Sequence, residues 1–407
     1  MLDEAQFNSR NPKFAGRLGI LSSHPIQYYS PWFRALAKQT DLEVFYAHRP
    51  NQAQQGAGFG KSFDWDVDLF SGYSHWFLKN ISHRPGVSHF SGCDTPEIRD
   101  LIRAGKFDAF IVIGWYLKTF WQAIWACRRA GVPVLVRGDS QLLTPRSPIK
   151  SLAKSATYRL LLRQFDGFLA VGQRNREYLE HYGVPAKKIF LVPHFVDNEW
   201  FAVRAEEDRK RRPEIRSQWG ANDETLVALF VGKFIEMKRP VDLLLALARL
   251  REQGVAAIGV FVGAGELEAE LQAVAERLGV TAKFVGFKNQ TELPAYYVSA
   301  DVLILPSESE TWGLVVNEAM ACGLPAIVSD AVGCAPDLID EGKTGFTFAL
   351  GNPGQLAQQL NRFGGISQNK KDFAPALAYK LKAYSIEAAV AGTLTALKTV
   401  HSRRISS

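Results

Sequence analysis

The chain lacks the features that mark a membrane span, a disulfide scaffold or a zinc module. No run of about 18 apolar residues occurs in its 407 residues, so no spanning helix is expected. Its only cysteines are Cys93, Cys127, Cys322 and Cys334, and the nearest two stand twelve apart. Neither a disulfide framework nor a zinc site fits that spacing, and a reduced, cytoplasmic protein is expected. Residues 1–16 are polar, with Asn, Pro and Gly, and read as a loose lead-in without a signal-peptide pattern. The net charge of +7 is modest for this length, and no nucleic-acid motif accompanies it, so no nucleic-acid partner is expected. A G-x-G-x-x-G fingerprint is absent after the first predicted strand, which argues against a dinucleotide-dependent dehydrogenase.

What is present is an alternation of short apolar strands and helical stretches, the pattern of a parallel α/β protein. At 47% hydrophobic, the chain has enough apolar material for two cores. Strands are predicted at Leu18–Ser22, Leu42–Ala47, Phe107–Gly114, Val132–Arg137 and Gly167–Gly172, and in the segment KIFLV from Lys188. A second series follows in LVALFVGKF, IGVFVGAG, KFVGF, VLILPS and PAIVSD. Helices are expected at Lys118–Ala130 and Pro148–Phe165, and from Ser385 onward. Right-handed crossovers then give two parallel sheets.

Several stretches have a structural and a functional reading. Asp64, Asp66 and Asp68 alternate in FDWDVDLF, which reads as a half-exposed strand rather than a metal site. The run Arg204–Arg216 reads as a solvated entry helix. In Pro148–Phe165, Lys150, Lys154, Arg159 and Arg163 recur at helical spacing, suiting either an anionic membrane surface or an ordinary surface helix. His24 and Gln27 follow the first strand, and Arg137, Asp139 and Ser140 end another, where doubly wound sheets present ligand-facing loops. Asp139 suits the orientation of an acceptor hydroxyl or the cap of the next helix; His24 suits a ligand contact or a loop turn.

The most informative stretch is Ser307–Pro325, SESETWGLVVNEAMACGLP. A buried strand precedes it, and Val315–Cys322 reads as a helix stopped by Gly323 and Pro325. Backbone N–H groups of Thr311, Trp312, Gly313, Leu314 and Val315 lie at the helix start, a seat for a diphosphate. Eight helical residues span about 12 Å, so Glu310 and Glu318 can stand at the two ends of a diphosphate. Glu318 would then accept ribose hydroxyls and Glu310 those of a sugar. A dipole-favouring Glu and a solvent-facing Glu would produce the same pattern. Lys233 and Lys238, in GKFIEMKRP, suit neutralisation of a leaving diphosphate. The turn Gly263–Glu266, with Gly265, and the loop Phe287, Lys288 and Asn289 fall at strand ends where a base can lie.

These residues carry a resemblance. Glu310, Trp312, Gly313, Leu314, Glu318, Ala319, Met320, Ala321, Gly323 and Pro325 fit the signature E-x-[FW]-G-L-x-x-x-E-A-M-A-x-G-x-P of the family 4 retaining glycosyltransferases. The resemblance implies the GT-B fold, with two Rossmann-like doubly wound α/β domains facing a cleft. It implies domains at 1–198 (acceptor) and 199–380 (nucleotide-sugar), with 381–407 a helix crossing back to the first. It implies sugar transfer from a nucleoside-diphosphate sugar, with retention and without metal or other cofactor. Lys233, Lys238 and the 311–314 amides would hold the diphosphate, Glu318 the ribose and Glu310 the sugar. Asp139 or His24 would orient the hydroxyl of a saccharide or lipid-linked saccharide. Relatives of this layout commonly build bacterial surface polysaccharides, so peripheral attachment to the inner face of the cell membrane is a further expectation. Three places depart from the family pattern: the first loop, which has HPIQY instead of paired glycines, Lys233 in place of Arg, and Asp139 where a His often lies. A nucleotide-sugar epimerase and a non-catalytic sugar-nucleotide-binding protein remain as alternatives.

Overall fold

The structure, a computed structural model, describes residues 13–143, 157–366 and 373–405. Two compact units emerge. The first comprises 1–50, 68–193 and 386–407; the second comprises 51–67 and 194–385.

The first unit is built on a seven-stranded sheet in the order β3-β2-β1-β4-β5-β6-β7. These strands are Arg17–Ser22 (β1), Asp41–Tyr46 (β2), Ser74–Phe77 (β3), Ala109–Ile113 (β4), Val134–Gly138 (β5), Gly167–Ala170 (β6) and Ile189–Leu191 (β7). Every pairing is parallel, with Leu18, Ile20 and Leu21 of β1 between Leu42, Val44 and Phe45 of β2 and the apolar run of β4. Sheets covered on both faces read as unbroken apolar runs, which is why these central strands were legible. Strand β3 was missed because SHWF is four residues long, alternates in polarity and lies at the sheet edge. The helix Lys118–Ala130 ends where Gly131 takes a left-handed conformation, φ +66°. The last helix, Ile386–Ile405, packs on the helix Tyr29–Ala37 and on β6 and β7 of this unit. Its Gly392 is required there, since a Cβ would lie 2.0 Å from the Leu191 carbonyl oxygen.

The second unit has a six-stranded parallel sheet in the order β10-β9-β8-β11-β12-β13. Its strands are Leu226–Val231 (β8), Ala257–Val262 (β9), Ala282–Gly286 (β10), Val302–Leu305 (β11), Ala326–Ser329 (β12) and Gly345–Phe348 (β13). Strand β13, the edge strand GFTF, has no counterpart among the predicted strands. In this order the chain winds outward from β8 through β9 to β10, then returns to β11 and winds the other way. Helices therefore diverge at the β8/β11 boundary, and a crevice opens beyond the carboxyl ends of those two strands.

Three sequence expectations need correction. Residues 63–70 form no strand. Each aspartate there instead serves a local or loop contact: Asp64 accepts from Gln52 Nε2 at 2.5 Å, Asp66 accepts the Thr291 N–H, and Asp68 accepts the Phe70 N–H at 3.0 Å. The backbone bonds to Asp68 hold its carboxyl at about 2, below the usual range. Second, residues 51–67 pack in the second unit rather than with 1–198. Third, Arg204–Arg216 is not one solvated helix. It divides into the helices Asn198–Asp208 and Arg212–Trp219, joined by a 3₁₀ turn, with Pro213 in the first turn of the latter. The basic helix from Pro148 is described only from residue 157, helical to 162; Lys150 and Lys154 lie outside the described residues.

Arg216 in that segment is 3% exposed. Its guanidinium donates to the Ser299, Asn222 and Thr225 carbonyls and to Asp301 at 3.1 Å. Arg212 reaches the other Asp301 oxygen at 2.9 Å, and Asp301 also accepts the Val227 N–H at 2.8 Å. Asp301 thereby fastens the 212–219 helix to the starts of β8 and β11. Removing Arg216 takes one of two cations from Asp301 and strips three carbonyls of their donor, a break in a buried ionic network that costs about 3–5 kcal/mol. Arg216→Ala is expected to lower the stability of the second unit by that amount in chemical denaturation. Arg211→Ala, whose partner Asp208 is its neighbour on an exposed surface, should change it by under about 1 kcal/mol. Equal effects of the two variants would contradict this assignment.

Candidate active site

The segments 232–240 and 306–313 follow β8 and β11, at the boundary where open parallel sheets hold their ligands. They are tied together by backbone and by charge. The Glu308 N–H donates to the Met237 carbonyl at 2.9 Å, and the Lys238 ammonium pairs with Glu310 Oε2. Both side chains are largely buried, at 21% and 18% exposure, so their attraction is screened less than that of a surface pair. On its other side, Glu310 and the residues after it lie against the turn after β12. The Gly333 N–H donates to the Glu310 carbonyl and the Cys334 N–H to the Trp312 carbonyl, each at 2.9 Å. Gly333 has to be glycine, because a Cβ would stand 1.9 Å from the Thr311 carbonyl oxygen.

The helix Leu314–Ala321 starts at Gly313, which is left-handed at φ +103°, ψ +59° and carries no side-chain cap. A first turn without a side-chain acceptor leaves its N–H groups for other partners. Thr311 is exposed, while Trp312 is buried with its ring 5.3 Å from His194 and 5.8 Å from Tyr384. Trp312 Nε1–H donates to Asn317 Oδ1 at 2.8 Å, which locks the indole under the loop. Glu318, one turn in, is buried at 3% exposure and accepts the Tyr297 hydroxyl at 2.5 Å. Tyr297, His194 and Asn317 were not anticipated, since nothing in AYYVSA or VPHFVD sets them apart from core residues.

Lys233 lies on the same segment as Lys238. Its ammonium donates to the Ala57 carbonyl at 2.7 Å and stands 5.1 Å from the centre of the Phe59 ring. Its pKa is lowered by burial, then by the charge of Lys238, with Glu310 opposing. A second cation thus stands near the Lys238–Glu310 pair, an arrangement that favours an added anion. The turn Gly263–Glu266 rests directly on this segment. A Cβ on Gly263 would lie 1.9 Å from the Gly232 carbonyl oxygen, and one on Gly265 2.4 Å from that of Phe234. Both glycines therefore have a packing role, with the Phe234 N–H donating to Ala264 at 2.9 Å. Phe287 sits among Phe59 and Phe63, at 5.0 and 4.5 Å. Lys288 turns away from that group, toward Glu292 at 3.3 Å and the Tyr296 ring at 5.6 Å. There it borders a separate cavity of about 580 Å³ along β10, lined also by Trp219, Lys283 and Thr291.

In the first unit, the His24 imidazole is mostly buried with Nδ1 2.9 Å from the Ser23 hydroxyl. Burial, with the charge of His48 adding to it, lowers its pKa to about 4, so the ring is neutral at physiological pH. Gln27 is buried. Arg137 is wholly buried; its guanidinium donates to the Val192 and Pro193 carbonyls at 2.5 and 3.1 Å and lies over the Trp32 ring at 5.3 Å. Those contacts make it a brace of the sheet end rather than a ligand contact. Asp139 is half-buried, and its charge acts on both Arg137 and Tyr29. Among the described residues, no group of three His, Cys, Asp or Glu is placed to hold a metal ion. All four cysteines are buried free thiols.

Comparison with known proteins matches both units. Residues 32–200 match the model described as Glycosyltransferase Family 4, and residues 211–374 that of Glycosyl transferases group 1. A D-inositol 3-phosphate glycosyltransferase of Corynebacterium jeikeium is 30% identical over 264 residues, covering 61% of this chain and 60% of the relative. The chain spans between 49% and 64% of the length of the first three curated relatives it matches. Among solved structures, HepE of Anabaena, in complex with UDP and glucose, superposes with a TM-score of 0.67 at 17% identity, covering 93% of this chain and 99% of that one. The lipopolysaccharide outer core galactosyltransferase WaaB superposes at 0.65 and 17% identity, covering 94% and 99%. At such identities the likeness shows the fold, and the fold shared is GT-B, two Rossmann-like parallel-sheet domains. With both units matched by its models, the chain belongs to the family 4, group 1 glycosyltransferases.

Proposed function

We propose that this protein transfers a glycosyl group from a nucleoside-diphosphate sugar to a hydroxyl acceptor, keeping the anomeric configuration and using no metal ion. The observation that carries the reading is the Lys238–Glu310 pair beside the uncapped start of the 314–321 helix, at the carboxyl ends of β8 and β11. Lys233, Lys238 and the first-turn amides hold the diphosphate and take up the charge that develops as it leaves. Glu310 accepts from hydroxyls of the transferred sugar. Glu318, positioned by Tyr297, accepts from the ribose. The base lies by the 263–265 turn and Phe287. In the reaction, the bond from the anomeric carbon to the diphosphate oxygen breaks and a bond to the acceptor oxygen forms on the same face. The acceptor proton passes to the departing phosphate oxygen. Asp139 or a neutral His24 orients the acceptor hydroxyl.

The acceptor we propose is a saccharide or lipid-linked saccharide of a bacterial surface polysaccharide, reached by peripheral attachment at an anionic membrane face. No helix among the described residues is long and apolar enough to cross a membrane. Trp125 and Leu160 are instead exposed on segments that also carry Arg128, Arg129, Arg159 and Arg163, a composition suited to an interface, and Leu142 and Leu143 are exposed as well. Flotation with anionic vesicles should carry the protein upward at low salt and fail after Trp125→Ser with Leu160→Ser. Absence of flotation by the unmodified chain removes the membrane component.

The donor reading is tested by a thermal-shift and hydrolysis screen over UDP-, GDP-, ADP- and dTDP-sugars, with and without EDTA. One nucleotide class should stabilise the protein and be slowly hydrolysed, unaffected by EDTA. Glu318→Gln, which keeps an acceptor for Tyr297, should weaken that binding by roughly 10- to 100-fold, the range for hydrogen bonds to a charged group. Failure of every nucleotide to shift the melting temperature would refute the site. Binding without hydrolysis or transfer would favour a non-catalytic sugar-nucleotide binder, and dependence on a divalent ion would refute the metal-free mechanism.

A further inference from the structure

Residues 51–67 stand in the chain between β2 and β3, yet they pack in the second unit. The segment is a closed loop. Asn51 and Gln54 form a reciprocal capping box, the Phe59 N–H donates to Gly56 at 2.9 Å, and Gln52 Nε2 reaches Asp64 at 2.5 Å. From that loop, contacts run to two places only a strand apart in the sheet order, the ends of β8 and β10. Ala57 accepts the Lys233 ammonium, and Gly58 lies on its stem at φ +83°, where a Cβ would stand 2.9 Å from Lys233 Cδ. The Asp64 carbonyl accepts from Asn289 Nδ2 at 2.8 Å, and Asp66 accepts from the Thr291 backbone and hydroxyl. Phe59, Phe63 and Phe287 form one cluster, with Trp65 5.0 Å from Phe63.

Phe59, Phe63, Trp65 and Phe287 are each only partly buried. A core cluster would close over its rings; this one leaves aromatic surface open beside an ammonium, at the ligand end of a parallel sheet. That combination matches one ligand chemistry, a flat heterocycle joined to phosphate. Lysine also needs help here. It has no planar fork, so its direction depends on its partners, and one of its three N–H bonds is fixed by Ala57. We propose that the strap 57–66 is part of the donor site, with Phe59 and Phe63 joining Phe287 as the wall for the base and Ala57 aiming Lys233 at the diphosphate. The proposal rests on the donor reading above and adds to it a segment that lies far from the E-x-x-x-x-x-x-x-E signature. Because every base has a π face, such a wall gives affinity more than discrimination among bases.

The test is isothermal titration of UDP, GDP, ADP and inorganic pyrophosphate into the wild-type chain and into Phe59→Ala with Phe63→Ala. The tightest nucleoside diphosphate should bind the variant roughly 10- to 100-fold more weakly, the span of one lost base-stacking contact. Pyrophosphate, which has no base, should bind both within about threefold. Should the alanine variant fail to fold, Phe59→Leu with Phe63→Leu keeps the apolar volume, loses the π faces and should show the same selective loss. Unchanged or tighter nucleotide binding by the variants would overturn the proposal, the latter marking the strap as an obstruction. A parallel loss for pyrophosphate would overturn the base-wall assignment. If the wild type binds no nucleoside diphosphate, the donor reading itself fails and the strap proposal with it; binding indifferent to both double variants fails the strap alone.

Discussion

The attraction between Lys238 and Glu310 is the contact on which the candidate site depends. It joins the loops after β8 and β11, the two strands between which the second sheet reverses its winding. At such a boundary the helices diverge, and nothing in the sheet's own hydrogen bonding holds the two loops in register. The Glu308 N–H bond to Met237 and a largely buried ion pair do so together, the pair at the cost of desolvating two charges. That cost is reduced when the pair is not closed. Lys233 adds a second cation nearby, and the 314–321 helix adds the positive end of its dipole. These surroundings favour an added anion.

Backbone contact supports the charge pair. Gly263 and Gly265 let one turn lie on the Gly232–Phe234 segment, and Gly333 lets another lie on Thr311. In each case a side chain would meet a carbonyl oxygen at well under van der Waals distance. Loops packed in this way cannot drift apart without breaking main-chain bonds such as Gly333 N–H to Glu310 and Phe234 N–H to Ala264. The Glu310 carboxylate thus stands on a rigid support, although no regular secondary structure contains it.

What was legible in the sequence followed from period and burial. Central strands such as LVALFV and VLIL are buried on both faces and announce themselves as apolar runs, and Lys118–Ala130 reads directly as a helix ended by Gly131. Glu310, Lys233 and Lys238 stand out in the sequence as charged residues after buried strands, and the fold brings Lys238 and Glu310 together. Edge strands escaped: SHWF and GFTF are four residues long and need pairing partners to be strands at all. Tertiary context also hid Arg216, which looks solvated in a run of charges but meets Asp301, 85 residues away. The DWDVD alternation misled for a related reason. Asp66 meets the Thr291 N–H far along the chain, while Asp64 and Asp68 take partners in their own loop, and an isolated window cannot distinguish that from a strand. Arg137, at a strand end, looked available to a ligand; in the fold it is wholly buried and its guanidinium donates to two carbonyls.

The division of labour between Lys238 and Glu310 is the central claim, and one comparison reaches it directly. In Glu310→Gln, nucleoside diphosphate without sugar should bind as tightly as in the wild type or tighter, because the ammonium loses its competing carboxylate. The same variant should lose at least about 100-fold in turnover of the nucleotide sugar, the scale of a charged contact made in the transition state. Titration of the diphosphate and of its sugar conjugate into both proteins, with single-turnover hydrolysis, measures the two together. Parallel loss of diphosphate binding and turnover would contradict the claim, since Glu310 would then serve only to hold the loop in shape and the sugar would have to be held elsewhere.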